Sequence, residues 1–164
     1  EDVRDPETAR RVLLNLADQT TRRMRKKKLV ASTVQITIRR PDMTTITRAV
    51  TLPAPTDDPF AVHRAACALF EKHWPAGAPV RLLGVACQNL RRKEDTPLQL
   101  DLFEYERQPK REILTAAMDR IRDKFGEEAI LTAGMLGEDP SALIRDKKRR
   151  GTSLQMDHLD ETDD

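Results

Sequence analysis

A pentapeptide in the second half of the chain, Gln99-Leu100-Asp101-Leu102-Phe103, has the composition of a recognition peptide. It follows Lys93-Glu94-Asp95-Thr96-Pro97, a charged segment with a proline, which is typical of an exposed linker. Large apolar side chains in an exposed linker are unfavourable unless something covers them. Spacing alone leaves two interpretations open: the peptide folds back on its own domain as a lid, or it enters a pocket of a partner protein.

A run of cations, Arg22-Arg23-Met24-Arg25-Lys26-Lys27-Lys28, closes the first predicted helix. Positive charges suit a helix C-terminus, but six in seven positions exceed what the helix dipole requires. So many like charges repel each other unless an anion is near. The pattern therefore favours contacts with phosphates, made by Arg22, Arg25, Lys26, Lys27 and Lys28. A solvated, dipole-matched helix end is the alternative.

The charge is divided unevenly along the chain. Residues 1–92 carry 17 Lys and Arg against 9 Asp and Glu, whereas residues 93–164 carry 12 against 18. So basic a first half indicates a polyanionic partner. No apolar run approaches the length of a membrane span and no secretory signal is present, so we expect a cytoplasmic protein with no membrane partner.

No constellation of residues predicts catalysis. Cys67 and Cys87 lack the spacing of metal ligands and are expected to be reduced, packed thiols. We find no catalytic triad, phosphate-binding glycine loop or metal cluster, and so predict neither an enzyme nor a cofactor in this chain. The chain begins at Glu1 rather than Met, which we interpret as a fragment or a processed product.

The order of the elements predicts the fold class. Asp5-Pro6-Glu7 starts a helix, residues 32–40 and 45–52 form a hairpin, residues 60–74 form a second helix, and residues 80–87 form a strand. One further strand in front would give β-α-β-β-α-β. We predict an α+β fold, an antiparallel sheet with two helices on one face and its first strand missing.

The opposite face of this sheet is expected to be open and polar. Strict alternation places Val34, Ile36 and Ile38 on the side of the helices. The other side then carries polar side chains and no large apolar one: Gln35, Thr37, Arg39, Thr45, Thr47 and Thr51. Such a surface is solvated or meets a polar partner.

The remainder is predicted to be a small extension and a tail. A helix from about Lys110 to Phe125 is expected to bury its apolar stripe, and Gly126 to stop it. Residues 129–133 could form a short strand. We divide the chain into a domain (1–92), a linker with the pentapeptide (93–109), a helix and strand extension (110–136) and a disordered charged tail (137–164). The stripe comprises Ile113, Leu114, Ala117, Met118, Ile121 and Phe125.

Five collinear segments carry a resemblance to a known family: Ile36 to Arg48 around Pro41-Asp42, Thr51 to Asp58, Val80 to Val85, the pentapeptide 99–103, and the helix 111–125 with Gly126. Together they resemble the C-terminal part of the bacterial Y-family translesion polymerases of the DNA polymerase IV type. The resemblance covers most of residues 1–131. The matching parts are the little finger domain and the clamp-binding peptide of that family.

The resemblance implies a function for both parts. The little finger lies on duplex primer–template DNA, its free sheet face toward the major groove and its basic residues on phosphates, with little sequence preference. The candidate contacts are Arg22, Arg25, Lys26, Lys27, Lys28, Thr37, Arg39 and Arg81. The peptide docks in a bacterial sliding clamp, with Gln99 at the pocket rim and Leu102 and Phe103 inside it, the remaining positions being Leu100 and Asp101.

The family's catalytic domains are not represented in this sequence. The carboxylates that hold its two metal ions, and hence magnesium, belong to the palm domain, so the chain alone should not polymerise DNA. We expect a monomer, with a raised tendency toward strand-edge association where the first strand would lie. The alternative function is a non-catalytic adaptor that uses a polymerase-like domain to recruit partners to the clamp.

Overall fold

The computed structural model describes residues 2–96 and 108–137. The elements are α1 (Pro6–Lys26), β1 (Leu29–Arg39), β2 (Thr45–Thr56), α2 (Pro59–His73), β3 (Leu82–Arg92) and α3 (Gln108–Phe125), with short 3₁₀ turns at Lys93–Asp95 and Ala133–Met135. The predicted α+β class is confirmed. Within the described ranges, no helix is both long and apolar enough to cross a membrane.

Each of the two domain helices, α1 and α2, starts at an aspartate cap followed by a proline. The Asp5 carboxylate accepts a hydrogen bond from the Thr8 N–H at 2.7 Å, and Pro6 occupies the first helical turn. Asp58 likewise accepts from the Phe60 N–H at 3.0 Å, with Pro59 inside the helix. Both caps satisfy a backbone donor that the helix itself leaves unpaired, so both predicted starts are confirmed.

The sheet has the strand order β2-β1-β3, and all neighbours are antiparallel. Thr37 in the middle of β1 lies opposite Thr47 of β2 and Gly84 of β3. The last strand differs from the predicted range of 80–87, because its backbone pairing with β1 continues as far as the pair Leu29 and Arg92. Its polar second half gave no apolar signal from which the sequence could predict this extension.

The residues before α1 make one further antiparallel contact. The N–H of Val3 donates to the Val80 carbonyl, and the N–H of Val80 donates back, both at 2.8 Å. This bridge places the segment that enters α1 beside the start of β3.

The core lies between the sheet and the two helices. Val34, Ile36 and Ile38 of β1 are fully buried and meet Leu13 of α1 and Val62 of α2, which are also fully buried. The alternation predicted for β1 is therefore correct, and the helices cover only one face. Such a core leaves the other face of the sheet to polar side chains.

Replacement of Ile36 by alanine should lower the free energy of unfolding by about 2–5 kcal/mol, the usual range for truncating a buried isoleucine. The side chain is 0% exposed at the centre of the sheet. Urea-induced unfolding measures the effect. Val50→Ala is the control, because Val50 on the edge strand is 38% exposed and should change the free energy by less than about 1 kcal/mol. Equal losses in both variants would contradict this account of the core.

The third helix contradicts the prediction for its buried face. Most of the predicted stripe faces outward: Ile113 is 70% exposed, Leu114 54% and Phe125 68%, whereas Ala117 and Met118 are half-buried. The side chain that α3 buries is instead Arg122, at 2% exposure. The helix turns its charged side inward because the adjoining surface of α1 is itself charged, and ion pairs join the two.

The segment after α3 also differs from expectation. Gly126 ends the helix with φ near +102° and donates its N–H to the Arg122 carbonyl at 2.9 Å, so the predicted stop is confirmed. Residues 129–133 form no strand. They lead into the 3₁₀ turn Ala133–Met135, which packs against α1 and buries Met135 completely. One apolar anchor therefore holds this segment.

Candidate nucleic-acid interface

The sheet face away from the helices, here called the open face, is small and polar. At its centre Gln35 lies opposite Ala49 and Ala86, and Thr37 lies opposite Thr47 and Gly84. Small side chains on both flanking strands leave the central strand accessible to a large ligand. The open face comprises Thr33, Gln35, Thr37, Arg39, Thr45, Thr47, Ala49, Thr51, Leu82, Gly84, Ala86 and Gln88. Leu82, opposite Arg39 at one end, is a large apolar side chain that is 42% exposed, which the sequence did not predict for this face.

Cross-strand hydrogen bonds fix the orientation of several of these side chains. The Gln88 amide donates to the Gln35 amide oxygen at 2.9 Å. The Arg39 Nε donates to the Thr45 hydroxyl at 3.0 Å, and this pairing directs the guanidinium across the hairpin. The open face is thus a preorganised polar surface whose side chains lose little conformational entropy on binding.

One end of the open face carries arginines. Arg39 closes β1, and its carbonyl accepts the Arg81 N–H at 2.9 Å, so the two residues are neighbours. Arg81 is exposed. Arg40 lies over the ring of Trp74, with its guanidinium carbon 5.4 Å from the ring centroid. The structure therefore brings the predicted contacts Arg39 and Arg81 together at this end.

The opposite end of the sheet carries a second group of cations. Lys26, Lys27 and Lys28 are exposed at the end of α1, and the Lys28 carbonyl accepts the Lys93 N–H at 2.9 Å. The end of β3 adds Arg91 and Arg92, which are also exposed. Sequence reasoning missed these two as site residues. The signal that could have found them was their place directly after an apolar strand.

Arg22 and Arg25 are placed differently from the other predicted contacts. The side chain of Arg22 is only 3% exposed and that of Arg25 only 13%. Both guanidinium groups face carboxylates of α3 and its C-terminal continuation. In this arrangement they are not available to a phosphate, which distinguishes them from the exposed side chains of Arg81, Lys27 and Lys28. Lys26 is also exposed, but its Nζ lies 3.6 Å from Glu127 Oε1.

Asp119 on α3 is the centre of these contacts. Its Oδ2 accepts from the Arg25 Nε at 2.8 Å, and its Oδ1 accepts from the Arg25 Nη2 at 3.1 Å and from the Arg22 Nη1 at 3.2 Å. Burial alone would raise the pKa of this carboxyl, but the hydrogen bonds and charges of Arg25 and Arg22 outweigh it and lower the pKa below 3.8. Asp119 is therefore ionised at neutral pH.

The predicted clamp-binding residues Gln99, Leu100, Asp101, Leu102 and Phe103 lie outside the described residues. The described chain stops at Thr96 and resumes at Gln108. The two flanks are close, since Lys93 Nζ lies 3.7 Å from Glu112 Oε1 on the second turn of α3. The predicted tail, 137–164, lies outside the described residues except for Gly137.

Burial keeps the two cysteines in the unreactive thiol form, although His63 Nε2 lies 3.1 Å from Cys67 Sγ. Burial raises the pKa of the Cys67 thiol to about 11 and that of Cys87 to about 12. Both are free thiols. Because the thiolate is the reactive form, these side chains act as small packed residues at neutral pH, as the sequence predicted.

Together these features define a class of protein: an α+β domain with an open polar sheet face between two basic ends. Residues 1–102 match the family model described as the impB/mucB/samB family C-terminal domain. The chain belongs to this family. The predicted resemblance to the Y-family polymerases is therefore confirmed at the level of the family.

Curated relatives extend the match over most of the chain. It is 36% identical over 160 residues to DNA polymerase IV of Oceanobacillus iheyensis, covering 98% of this chain and 37% of the relative. It is 35% identical over 156 residues to DNA polymerase IV 1 of Bacillus subtilis strain 168, covering 95% and 36%. DNA polymerase IV of Pelotomaculum thermopropionicum is 37% identical over 136 residues, covering 83% and 32%. The chain thus spans about a third of the length of these relatives.

Proposed function

We propose that this chain is the duplex-binding and clamp-tethering part of a Y-family translesion DNA polymerase. The observation that carries the proposal is the open face, polar and free of large apolar side chains at its centre, with basic residues at both ends. In this proposal the chain binds and positions DNA. Nucleotidyl transfer, and the magnesium ions it uses, belong to another part of the polymerase.

The dimensions of the open face suit a duplex. Leu29, next to Lys28, and Arg39 are ten residues apart along β1, which at about 3.3 Å per residue corresponds to roughly 33 Å. One turn of duplex DNA is also about 34–36 Å long. The two basic ends can therefore contact phosphates of one duplex segment while the open face lies against the groove between them.

The chemistry of the open face predicts weak sequence preference. Its central side chains are threonine hydroxyls and amides that already bond to each other, as Gln88 does to Gln35. Hydroxyls accept or donate toward any base edge, and bidentate arginine contacts, which read guanine, would have to come from the ends. Affinity should then come mainly from phosphate contacts and depend steeply on salt.

Simultaneous replacement of Arg39 and Arg81 by glutamine should lower the slope of log affinity against log salt by about two, because each phosphate contact contributes about 0.9. The measurement is fluorescence anisotropy of a labelled hairpin duplex at several salt concentrations. Arg64→Gln/Lys72→Gln is the matched control, since it removes the same charge from α2, on the helix side of the sheet. If the slope falls equally in both double variants, Arg39 and Arg81 make no specific contact with the DNA.

The clamp-tethering half of the proposal rests on the pentapeptide 99–103 and its resemblance to the family's clamp peptide. The position of the pentapeptide also supports clamp tethering. It belongs to a segment of eleven residues between Thr96 and Gln108, and the described chain on both sides of that segment is part of the fold. In the alternative function, a non-catalytic adaptor, the chain also binds the sliding clamp. This alternative differs in predicting clamp binding without salt-dependent affinity for duplex DNA, so the anisotropy titration separates the two functions.

A further inference from the structure

We propose that α3 and Glu127 form a displaceable mask over a basic site, in which carboxylates occupy the positions that nucleic-acid phosphates take when DNA binds. The basic site consists of Arg22, Arg25 and Lys26. The inference rests on the proposed function, because it assigns this site to the same duplex. It deepens that function by making part of the phosphate-binding surface conditional on the position of α3.

The three cations of the basic site form one surface. They stand at positions i, i+3 and i+4 of α1, so their side chains project from the same side of the helix. Lys27 and Lys28, both exposed, follow directly at the end of the helix. A phosphate backbone that reaches these lysines therefore lies next to the basic site.

Three carboxylates surround Arg22, the first arginine of the basic site, and leave its side chain only 3% exposed. Arg22 Nε lies 2.8 Å from Glu127 Oε1, Nη2 lies 3.0 Å from Asp123 Oδ1, and Nη1 lies 3.2 Å from Asp119 Oδ1. Arg25 binds both oxygens of Asp119, and Lys26 Nζ lies 3.6 Å from Glu127 Oε1. Bidentate guanidinium–carboxylate pairing has the geometry that arginine also uses for phosphate. The carboxylates are thus chemical stand-ins for phosphate oxygens.

The contacts between α3 and the domain are of a kind that DNA phosphates can replace. The core cluster of the described residues contains no side chain of α3, and the largest side chains of the apolar stripe face outward, with Ile113 and Phe125 about 70% exposed. Charge pairs therefore hold the helix itself in place, while the buried Met135 anchors the segment that follows it. Salt screens the exposed pair of Lys26 with Glu127, whereas the buried pairs of Arg22 are screened much less, so a polyanion has to replace their carboxylates directly.

The exchange conserves the pairing of the basic site, whereas Arg122 of α3 gives up Asp18 and both groups become hydrated. When α3 leaves, Arg22, Arg25 and Lys26 lose three carboxylates and gain phosphates, while Asp119, Asp123 and Glu127 become hydrated. A neutral ligand offers no such replacement. The mask therefore opens for a dense polyanion and stays closed otherwise, which suppresses weak binding to sparsely charged partners.

Replacement of Asp119 by asparagine together with Glu127 by glutamine tests the mask in the full chain. The matched control is Glu7→Gln/Glu71→Gln, which removes the same charge and also frees two arginines, Arg11 and Arg10, in the N-terminal half of α1. Affinity for a hairpin duplex is measured by anisotropy across salt concentrations. Protection of α3 amides is measured by hydrogen exchange with and without the duplex.

The mask predicts that Asp119→Asn/Glu127→Gln steepens the salt slope by two to three, so that raising salt from 50 to 200 mM costs this variant about 40-fold more affinity than wild type. The control should leave the slope unchanged. In wild type, saturating duplex should lower the protection of α3.

Two results would overturn the mask. If wild type binds duplex while α3 stays protected, and both variants behave alike, α3 is a fixed structural element and the proposed function stands without the mask. If neither wild type nor Asp119→Asn/Glu127→Gln binds duplex at low salt, the proposed function fails and the mask fails with it.

Discussion

Simultaneous replacement of Leu102 and Phe103 by alanine is expected to reduce the affinity of this chain for a bacterial sliding clamp by at least about 100-fold. Burial of a Leu or Phe side chain is worth about 1.5–3 kcal/mol, and the two together about 3–6 kcal/mol. A wild-type dissociation constant near micromolar corresponds to about −8 kcal/mol, so the variant would bind only at submillimolar concentrations or above. Isothermal titration of the full chain against the clamp measures both constants.

The control for this experiment is Ile113→Ala/Phe125→Ala. Both side chains are exposed on α3, 70% and 68%, so the control also removes two large apolar groups. It should bind the clamp as wild type does. Binding that survives Leu102→Ala/Phe103→Ala, or that falls equally in the control, would show that the pentapeptide does not enter a pocket. Absence of binding by every form would leave the open face as the functional surface of the chain.

Replacement of Arg122 by alanine is expected to release α3 from the domain. The Arg122 guanidinium donates to both oxygens of Asp18, Nη1 to Oδ1 at 3.1 Å and Nη2 to Oδ2 at 2.9 Å, and its Nε donates to the Ile130 carbonyl at 3.1 Å. Both members of this pair are almost fully buried. Removal of one member of a buried ion pair costs about 3–5 kcal/mol, because the other is left as an uncompensated charge.

The expected loss appears in the docking of α3 rather than in global stability. Once the helix leaves, Asp18 is hydrated, so the penalty cannot exceed the free energy of docking. Protection of α3 amides against hydrogen exchange should therefore fall by about 100-fold or disappear, 100-fold corresponding to about 2.7 kcal/mol. The urea midpoint of the sheet and the two domain helices should change little, because the core cluster contains no side chain of α3.

Arg120→Ala is the control for this second experiment. Arg120 is exposed on the same helix, so its loss should leave the protection of α3 unchanged. Arg122→Lys should restore docking only in part, because an ammonium group cannot bind both Asp18 oxygens and a carbonyl in one plane. If α3 remains protected in Arg122→Ala, contacts other than this ion pair hold the helix, and Met135 would be the first to test.

The sequence by itself determined the elements of the domain and the open face. Proline after an aspartate cap starts a helix through contacts within one turn, as Asp5 with Thr8 shows. Alternation along β1 assigned Ile36 to the core and Thr37 to the open face because successive side chains of a strand point to opposite sides. These are local rules, and the residues that obey them are within a few positions of each other.

Only the tertiary structure decided how α3 docks and which cations remain accessible. Periodicity identified an apolar stripe that includes Leu114 and Ile121, but it cannot say which side of a helix meets the domain. That choice depends on pairs such as Arg22 with Glu127, which are 105 positions apart in the chain. The same long-range pairing separates Arg22 and Arg25 from Lys27 and Lys28, although all four belong to one run of cations. Charge along a sequence is a local property, whereas its compensation depends on which surfaces the fold brings into contact.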